Sequence, residues 1–488
     1  MRSLVAVLCC ELLVLPLAGC AGHPREIPAV PLVQDVFRPL RDDLKKSYVT
    51  LFKIAPKLEY SNTQLTRMSD YLNQAKEYCD QRFKETSGRY ETEVENAQQK
   101  LKSSNITAAE RHNLHCTIQN SRALKSQADV IADHAIPVAY DNKQAKLDLI
   151  REWPAQLKEI RQSIRDGSYL HRQWGDVKDI GFRRIETGQK DDIKTGEEAI
   201  RQMKLSGLMP KEVENKEIVS YVTKVANKIA ANSDLLIPLH VTVLNSKEIN
   251  AFALPGGFVF VERGLLEAAD DESELAGVLG HEISHVVARH GHKLMEKATI
   301  ASIVYQAAQV AAILLTGGAA GIGTYYALQY GFYGLGLALN LSLLGVSRDF
   351  ELQADQLGMQ YAWKAGYDPM GFIRFFDKMA TEEGYVNGVS WFRSHPPFYE
   401  RMVDSEREYM YLPKRKSPVV NTPDFKAMKA ALKPVTAKAK EDEKTKPSLL
   451  APEQGCAAPG KLVYEPDQPI EAICAEPETR PVSSGHTS

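Results

Sequence analysis

The stretch LGHEISHVVARHG, residues 279–291, sets His281 and His285 four positions apart with Glu282 beside the first. On an α-helix that spacing is one turn, so both imidazoles leave the same face and can reach one ion. Two imidazoles, a third protein ligand and an open position make the donor set of a catalytic zinc site; no cysteine stands within the stretch to make it a structural one,. Water held there would have its pKa lowered to about 7, and Glu282 could take its proton as it attacks a peptide carbonyl. The chemistry expected is peptide hydrolysis with one Zn2+ per chain.

The third ligand has to come from elsewhere. A metzincin arrangement needs Gly at 288 and His at 291, whereas Ala288 and Gly291 stand there,. His290 and His292 face another helical direction and are expected at the surface or behind the ligands, not among them. A glutamate on a second helix is the alternative. Glu351 in FELQAD qualifies, and Asp355 follows one turn later on the same face, where it could orient a zinc-bound imidazole,.

These residues need helices and a support. ESELAGVLGHEISHVVARHGHKLMEKA carries Leu275, Val278, Leu279, Ile283, Val286 and Val287 at helical period and predicts one helix,. It follows a β-rich stretch, where HVTVL and GFVFV predict strands and Pro255-Gly256-Gly257 a turn,. NKEIVSYVTKVANKIAANS, RDFELQADQLGMQYAWKAG and DPMGFIRFFDKMA predict further helices, the last opened by Asp368 as cap and Pro369 at its first position,. Residues 31–185 show apolar residues at helical spacing and predict a helical hairpin or small bundle, with turns at Ser104-Asn105 and at 135–140. His112 and His115 beside Cys116 lack further ligands and predict no metal. The fold class expected is α+β, mainly helical, with a small β-sheet.

Composition bounds the partners. A quarter of the chain is charged and the net charge is −2, which gives no reason to expect nucleic acid,. Residues 298–347 contain no Asp, Glu, Lys or Arg; a buried or lid-like helical pair and contact with a membrane both fit, since each apolar run is barely long enough to span,. The Lys-, Pro- and Ala-rich sequence beyond about 413 predicts a solvated, flexible tail over 426–488,.

The first twenty residues, MRSLVAVLCCELLVLPLAGC, predict a signal peptide over 1–19, and the Leu-Ala-Gly-Cys ending resembles a lipobox that leaves Cys20 acylated at the head of a linker over 20–30,. Export should then place Cys79, Cys116, Cys456 and Cys474 in an oxidising compartment, where local pairing predicts disulfides 79–116 and 456–474. No Asp occupies the second mature position, which favours the outer membrane over the inner.

HEISH at 281–285, ELQAD at 351–355, NAFALPGG at 250–257 and SHPPFYER at 394–401 occur in this order. Over about 190–425 the chain resembles the zinc metalloendopeptidases related to the CAAX prenyl protease, among them the bacterial HtpX-, BepA- and LoiP-like proteases. The resemblance implies a gluzincin-type domain over 190–425, with His281, His285 and Glu351 as ligands, Glu282 as base and Asp355 as the partner of a ligand. It implies that Asn250, Ala251, Phe252 and Ala253, with Pro255, Gly256 and Gly257, form an edge strand on which extended substrate pairs. It also places His395 on a loop near the site, to touch substrate or cover the metal, and Arg401 near the motif helices. The resemblance does not extend to 31–185 or to the tail, and the chain lacks the C-terminal repeats of BepA-like members.

The function expected is a lipid-anchored zinc endopeptidase of the bacterial periplasm, cleaving unfolded or misassembled envelope proteins. Two alternatives stay open: a non-proteolytic assembly factor with a latent metal site, and a membrane-embedded processing protease.

Overall fold

A computed structural model describes residues 38–171, 173–174, 177–178, 185, 187–205, 209–295, 348–381, 399–445, 456–457, 461–462 and 479–480. Cys20 with the leader, the uncharged segment 298–347, His395 and Cys474 lie outside them.

The N-terminal region, residues 38–166, is built from α1 (Arg38–Leu44), α2 (Tyr48–Ile54), α3 (Asn62–Leu101), α4 (Ala108–Val130) and α5 (Ile136–Asp166). Reciprocal capping boxes start the two helices of the long hairpin, Ser61 with Gln64 on α3 and Thr107 with Glu110 on α4,. The turn between them falls at Ser104-Asn105. The second predicted turn does not form, because residues 131–135 continue as a π-helical turn straight into α5. Ile131, Ala132, Ile136, Ala139 and Tyr140 are buried there, and Pro137, which has no N–H to donate to the preceding turn, directly follows the π-helical turn,.

Among the described residues the further α-helices are α6 (Ile193–Leu205), α7 (Lys216–Ala230), α8 (Arg263–Ala268), α9 (Glu272–Val287), α10 (His290–Met295), α11 (Arg348–Lys364), α12 (Met370–Thr381), α13 (Tyr399–Tyr411) and α14 (Pro423–Thr445). Three strands, β1 (His240–Leu244), β2 (Ala251–Leu254) and β3 (Phe258–Glu262), form one sheet in the order β1-β3-β2. β1 runs parallel to β3 with His240 opposite Phe258, and β2 runs antiparallel to it with Ala251 opposite Val261. The β2–β3 turn requires its glycines: Gly256 and Gly257 have φ of 86° and 91°,. α6 covers one face of the sheet through Ala199 and Met203, which pack on Leu244, Phe252, Leu254 and Phe260. The described residues are thus mainly helical, with one three-stranded sheet and two pairs of two-residue strands, the α+β class expected.

One hydrophobic core runs from Leu40 and Trp153 of the N-terminal helices to Leu279, Tyr361, Phe376 and Met428. Polar contacts reinforce this shared core: Asp377 of α12 accepts the backbone N–H groups of Tyr48 and Val49 at 2.7 and 3.0 Å, capping α2 from a distant helix,. Among the described residues no helix is long and apolar enough to cross a membrane.

The tail departs from its expectation. α14 extends to Thr445, because Phe425, Met428 and Leu432 recur on one face and are buried, while its many Ala and Lys residues are good helix formers,. Further on, Lys461–Leu462 pairs antiparallel with Thr479–Arg480, Leu462 is buried, and its N–H donates to Gln127 of α4 at 2.8 Å.

Both predicted disulfides are wrong. Cys116 bonds Cys456, across a sequence separation of 340, so neither 79–116 nor 456–474 forms. The hairpin explains the first failure: Cys79 and Cys116 stand at unequal distances from its turn, an offset of about 20 Å at ~1.5 Å rise per residue, far beyond disulfide reach. Cys79 is disulfide-bonded as well, and its sulfur lies 3.3 Å from the Tyr140 hydroxyl. His112 lies near Cys116 and Cys456, but a disulfide offers no thiolate for a metal,.

Candidate metal centre

α9 is the spine of the site, and all of its residues are buried. Asp271 caps it by accepting the Glu274 N–H at 3.0 Å, and its polar members are satisfied locally: Ser284 donates to the Gly280 carbonyl at 2.7 Å, and Glu274 pairs with Lys378 at 2.7 Å,. α11 approaches α9 closely where Gly280 and Gly358 meet. A Cβ on Gly280 would stand 2.7 Å from the Gly358 carbonyl oxygen, and one on Gly358 would stand 2.6 Å from the His281 nitrogen. Two residues without side chains therefore let the helix bearing Glu351 lie against the helix bearing the histidines.

The result is a compact donor cluster. The Nε2 atoms of His281 and His285 are 3.0 Å apart, Glu351 Oε2 is 3.6 Å from the first, and Oε1 is 3.5 Å from the second. Ligands about 2.0–2.1 Å from a tetrahedral zinc would be separated by roughly 3.3 Å, so these three atoms are spaced to share one ion. Charge makes the same demand: Glu282, Glu351 and Asp355 are buried together with Arg401, each exposed by 3% or less. Three carboxylates against one guanidinium leave a buried negative excess that a divalent cation would neutralise. The residues present fit zinc.

Asp355 and Arg401 fix the cluster from behind. His281 Nδ1 lies 2.8 Å from Asp355 Oδ1, which as an acceptor puts the ring proton on Nδ1 and leaves the Nε2 lone pair facing the cluster,. Arg401, on α13, donates through Nε and Nη2 to the two oxygens of Asp355, each at 2.7 Å, and its Nη1 lies 3.0 Å from Glu351 Oε2. Burial works against the Arg401 cation, but the charges of Asp355 and Glu351 outweigh it and hold the guanidinium above its usual range,. Phe372 stacks on His281 with centroids 5.6 Å apart.

β2, with Ala251, Phe252 and Ala253, forms an edge of the sheet and lies against α9. Asn250 precedes it and accepts the Glu262 N–H at 3.0 Å; Pro255, Gly256 and Gly257 follow in the turn.

The predicted helix through 298 is interrupted. α9 ends at Val287, Ala288 caps it, and Arg289 takes φ of 55° before α10 begins at His290. That break turns His290 inward, where it is fully buried with its Nδ1 2.9 Å from His285 Nδ1. His292 instead meets Asp192 at 3.0 Å. The contact of His290 with His285 and the glycine pair were not anticipated. Glycines inside both motif helices, Gly277 and Gly280 in one and Gly358 in the other, are a sign of tight packing that was available in the sequence,; nothing in the sequence signals a left-handed arginine.

Residues 212–408 match Peptidase family M48. This span holds both ligand-bearing helices, the sheet and Arg401. Over 203 residues the chain is 31% identical to the beta-barrel assembly-enhancing protease of Yersinia pestis, a match covering 40% of this chain and 39% of that protein. The corresponding protease of Escherichia coli (strain K12) is 26% identical over 247 residues, 49% of this chain and 47% of that protein. The mitochondrial metalloendopeptidase OMA1 of Schizosaccharomyces pombe is 32% identical over 194 residues, 39% of this chain and 52% of that protein. The chain thus matches about half or less of the length of each. The match spans both HEISH and ELQAD, whose ligand atoms gather at one buried point, so residues 212–408 form a region similar to the metalloproteases of Peptidase family M48.

Proposed function

We propose that this chain is a zinc-dependent endopeptidase of the bacterial envelope that hydrolyses unfolded or misassembled envelope proteins. The observation that carries the hydrolytic part is the convergence of His281 Nε2, His285 Nε2 and the Glu351 carboxylate beside the buried Glu282. Zinc held by those three residues supplies Lewis-acid polarisation and an acidified water. Glu282 accepts the proton of the attacking water and returns it to the leaving amine. Asp355 and Arg401 keep His281 and Glu351 in one arrangement, so little reorganisation is needed at the moment of reaction. The backbone of β2 from Asn250 to Ala253 offers an extended substrate a strand to pair with, next to the helix that carries Glu282.

The envelope location rests on three supports: the leader ending at Cys20, the Cys116–Cys456 disulfide, which suits an oxidising compartment, and relatives named for β-barrel assembly,. Acylation of Cys20 would anchor the enzyme, to the outer membrane by the residues that follow it; His395 would contact substrate or cover the metal.

The test uses the mature full chain. Zinc content is measured, and cleavage of an unfolded outer-membrane protein is compared for wild type, Glu282→Gln and chelator-treated enzyme. Stoichiometric zinc with cleavage abolished in the variant and by chelation supports the protease; a zinc-loaded wild type that cleaves no better than Glu282→Gln favours the assembly factor.

A further inference from the structure

We propose that His290 is a positioning residue for the metal centre: it accepts a hydrogen bond from His285 Nδ1–H and so holds His285 Nε2 toward His281 and Glu351. The inference rests on the zinc-site proposal above and extends it to residues outside the two motifs.

Proton bookkeeping along the ring atoms gives one consistent chain. His285 Nε2 lies 3.0 Å from His281 Nε2 and 3.5 Å from Glu351 Oε1, so its lone pair belongs to the cluster and its single ring proton sits on Nδ1,. That Nδ1 is 2.9 Å from His290 Nδ1, which must then be the acceptor. The proton of His290 is therefore on Nε2, and 2.8 Å away stands Gln353 Oε1, an amide oxygen that accepts it. Each atom has one role, and none is asked to donate and accept at once. His281 is oriented by a carboxylate; His285 is oriented by a neutral imidazole backed by a neutral amide. This second route adds no further negative charge to a site that already buries three carboxylates.

The surroundings hold His290 for this task. Phe350 stacks on its ring at 4.4 Å with planes 9° apart, and both Phe350 and Gln353 lie on α11 beside Glu351. The helix that supplies the third ligand thus also fixes the support of the second. The backbone enters through Arg289 in the left-handed region, which disfavours side chains other than glycine and asparagine,. Compensation is visible: Arg289 grips Asp192 through Nε and Nη2, both at 2.8 Å, and donates to the Thr187 carbonyl at 2.7 Å. Without this turn α9 would continue as a helix and carry His290 away from His285. His290 is not itself a ligand, since it meets His285 at Nδ1, on the opposite side of the ring from the cluster.

The test is zinc affinity of the full mature chain, measured by competition with a chromogenic chelator, with His290→Leu, His290→Asn and His281→Ala. Leucine fills the space without an acceptor; asparagine puts an acceptor oxygen near the position of Nδ1. Loss of one ligand-orienting partner weakens zinc binding by about 10–100-fold, so His290→Leu should fall in that range and His290→Asn should recover most of it. A second readout is the ¹⁵N spectrum of histidine-labelled, zinc-loaded wild type, in which His285 should carry its proton on Nδ1. Leucine binding zinc as tightly as wild type, leucine and asparagine equally weak, or a wild-type His285 without a proton on Nδ1 would each overturn the inference. His281→Ala separates the levels: if it keeps wild-type zinc affinity, the zinc-site proposal itself fails; if it alone loses zinc, only the role of His290 fails.

Discussion

Arg401 and Asp355 form a buried bidentate pair, with Nε and Nη2 each 2.7 Å from a separate carboxylate oxygen, and the remaining Nη1 reaches Glu351 at 3.0 Å. One side chain on α13 thereby ties together the third metal ligand and the partner of the first.

Arg401→Ala leaves two buried carboxylates without their counter-charge. Breaking a buried pair by removing one partner costs about 3–5 kcal/mol, far more than a surface ion pair is worth. Arg401→Lys keeps the charge but cannot make the fork, and should recover only part of the loss. Urea unfolding of the zinc-free proteins checks this; an alanine variant within about 1 kcal/mol of wild type would contradict it.

Gly358→Ala sets two effects against each other. Helix propensity favours alanine by about 1 kcal/mol, but the new Cβ would meet the His281 nitrogen at 2.6 Å and the Gly280 carbonyl carbon at 2.8 Å. Both are backbone atoms of a fully buried helix, and overpacking of this kind costs about 1–3 kcal/mol, so packing wins. Gly358→Ala should lower both stability and zinc affinity. Gly88→Ala, on the exposed side of α3 with nothing within 4 Å of the added carbon, should raise stability by up to ~1 kcal/mol,. Thermal unfolding of the two variants should therefore move in opposite directions.

Glu262 sets a pH dependence. Burial pushes its carboxyl from the ordinary 4.5 up to about 8, against the hydrogen bond from the Ser246 hydroxyl and with help from the nearby Glu248. Between those values the folded protein holds a proton that the unfolded chain releases. Stability from this group is therefore full below pH 4.5, is lost as pH rises toward 8, and falls no further above it,. Glu262→Gln can still accept from Ser246 and removes this slope. It should leave stability near pH 4 little changed and raise it at pH 8.5 by about a few kcal/mol. Denaturant midpoints across that range measure the difference; parallel curves for the two proteins would refute it.

Cys116 and Cys456 should appear in one cross-linked peptide after proteolysis without reductant. Mass spectrometry that finds Cys79 linked to Cys116 would contradict the fold of the tail onto α4. Reduction, by freeing a link across 340 positions, should destabilise the tail's attachment and expose 456–462 to protease,.

Sequence alone determined the chemistry of the centre. HEISH and ELQAD place their donors one helical turn apart, and a periodicity of 3.6 is local, so His281 with His285, and Glu351 with Asp355, could be assigned to shared faces before any fold was known. Two of the three strands were legible from the β-branched runs HVTVL and GFVFV and a Pro-Gly-Gly turn, whereas Ala251–Leu254, which has no β-branched residue, was expected only from the resemblance. Tertiary structure decided what depends on contacts between distant segments. It set the Gly280–Gly358 approach that gathers the donors, the shared core of the N-terminal and catalytic helices, and the Cys116–Cys456 bond. It also decided the direction of His290, which local periodicity assigned to a continuing helix. The left-handed turn at Arg289 prevails there because Asp192 and Thr187, far away in the chain, hold it. Spacing within a helix fixes which side chains share a face; only packing between helices fixes what that face meets.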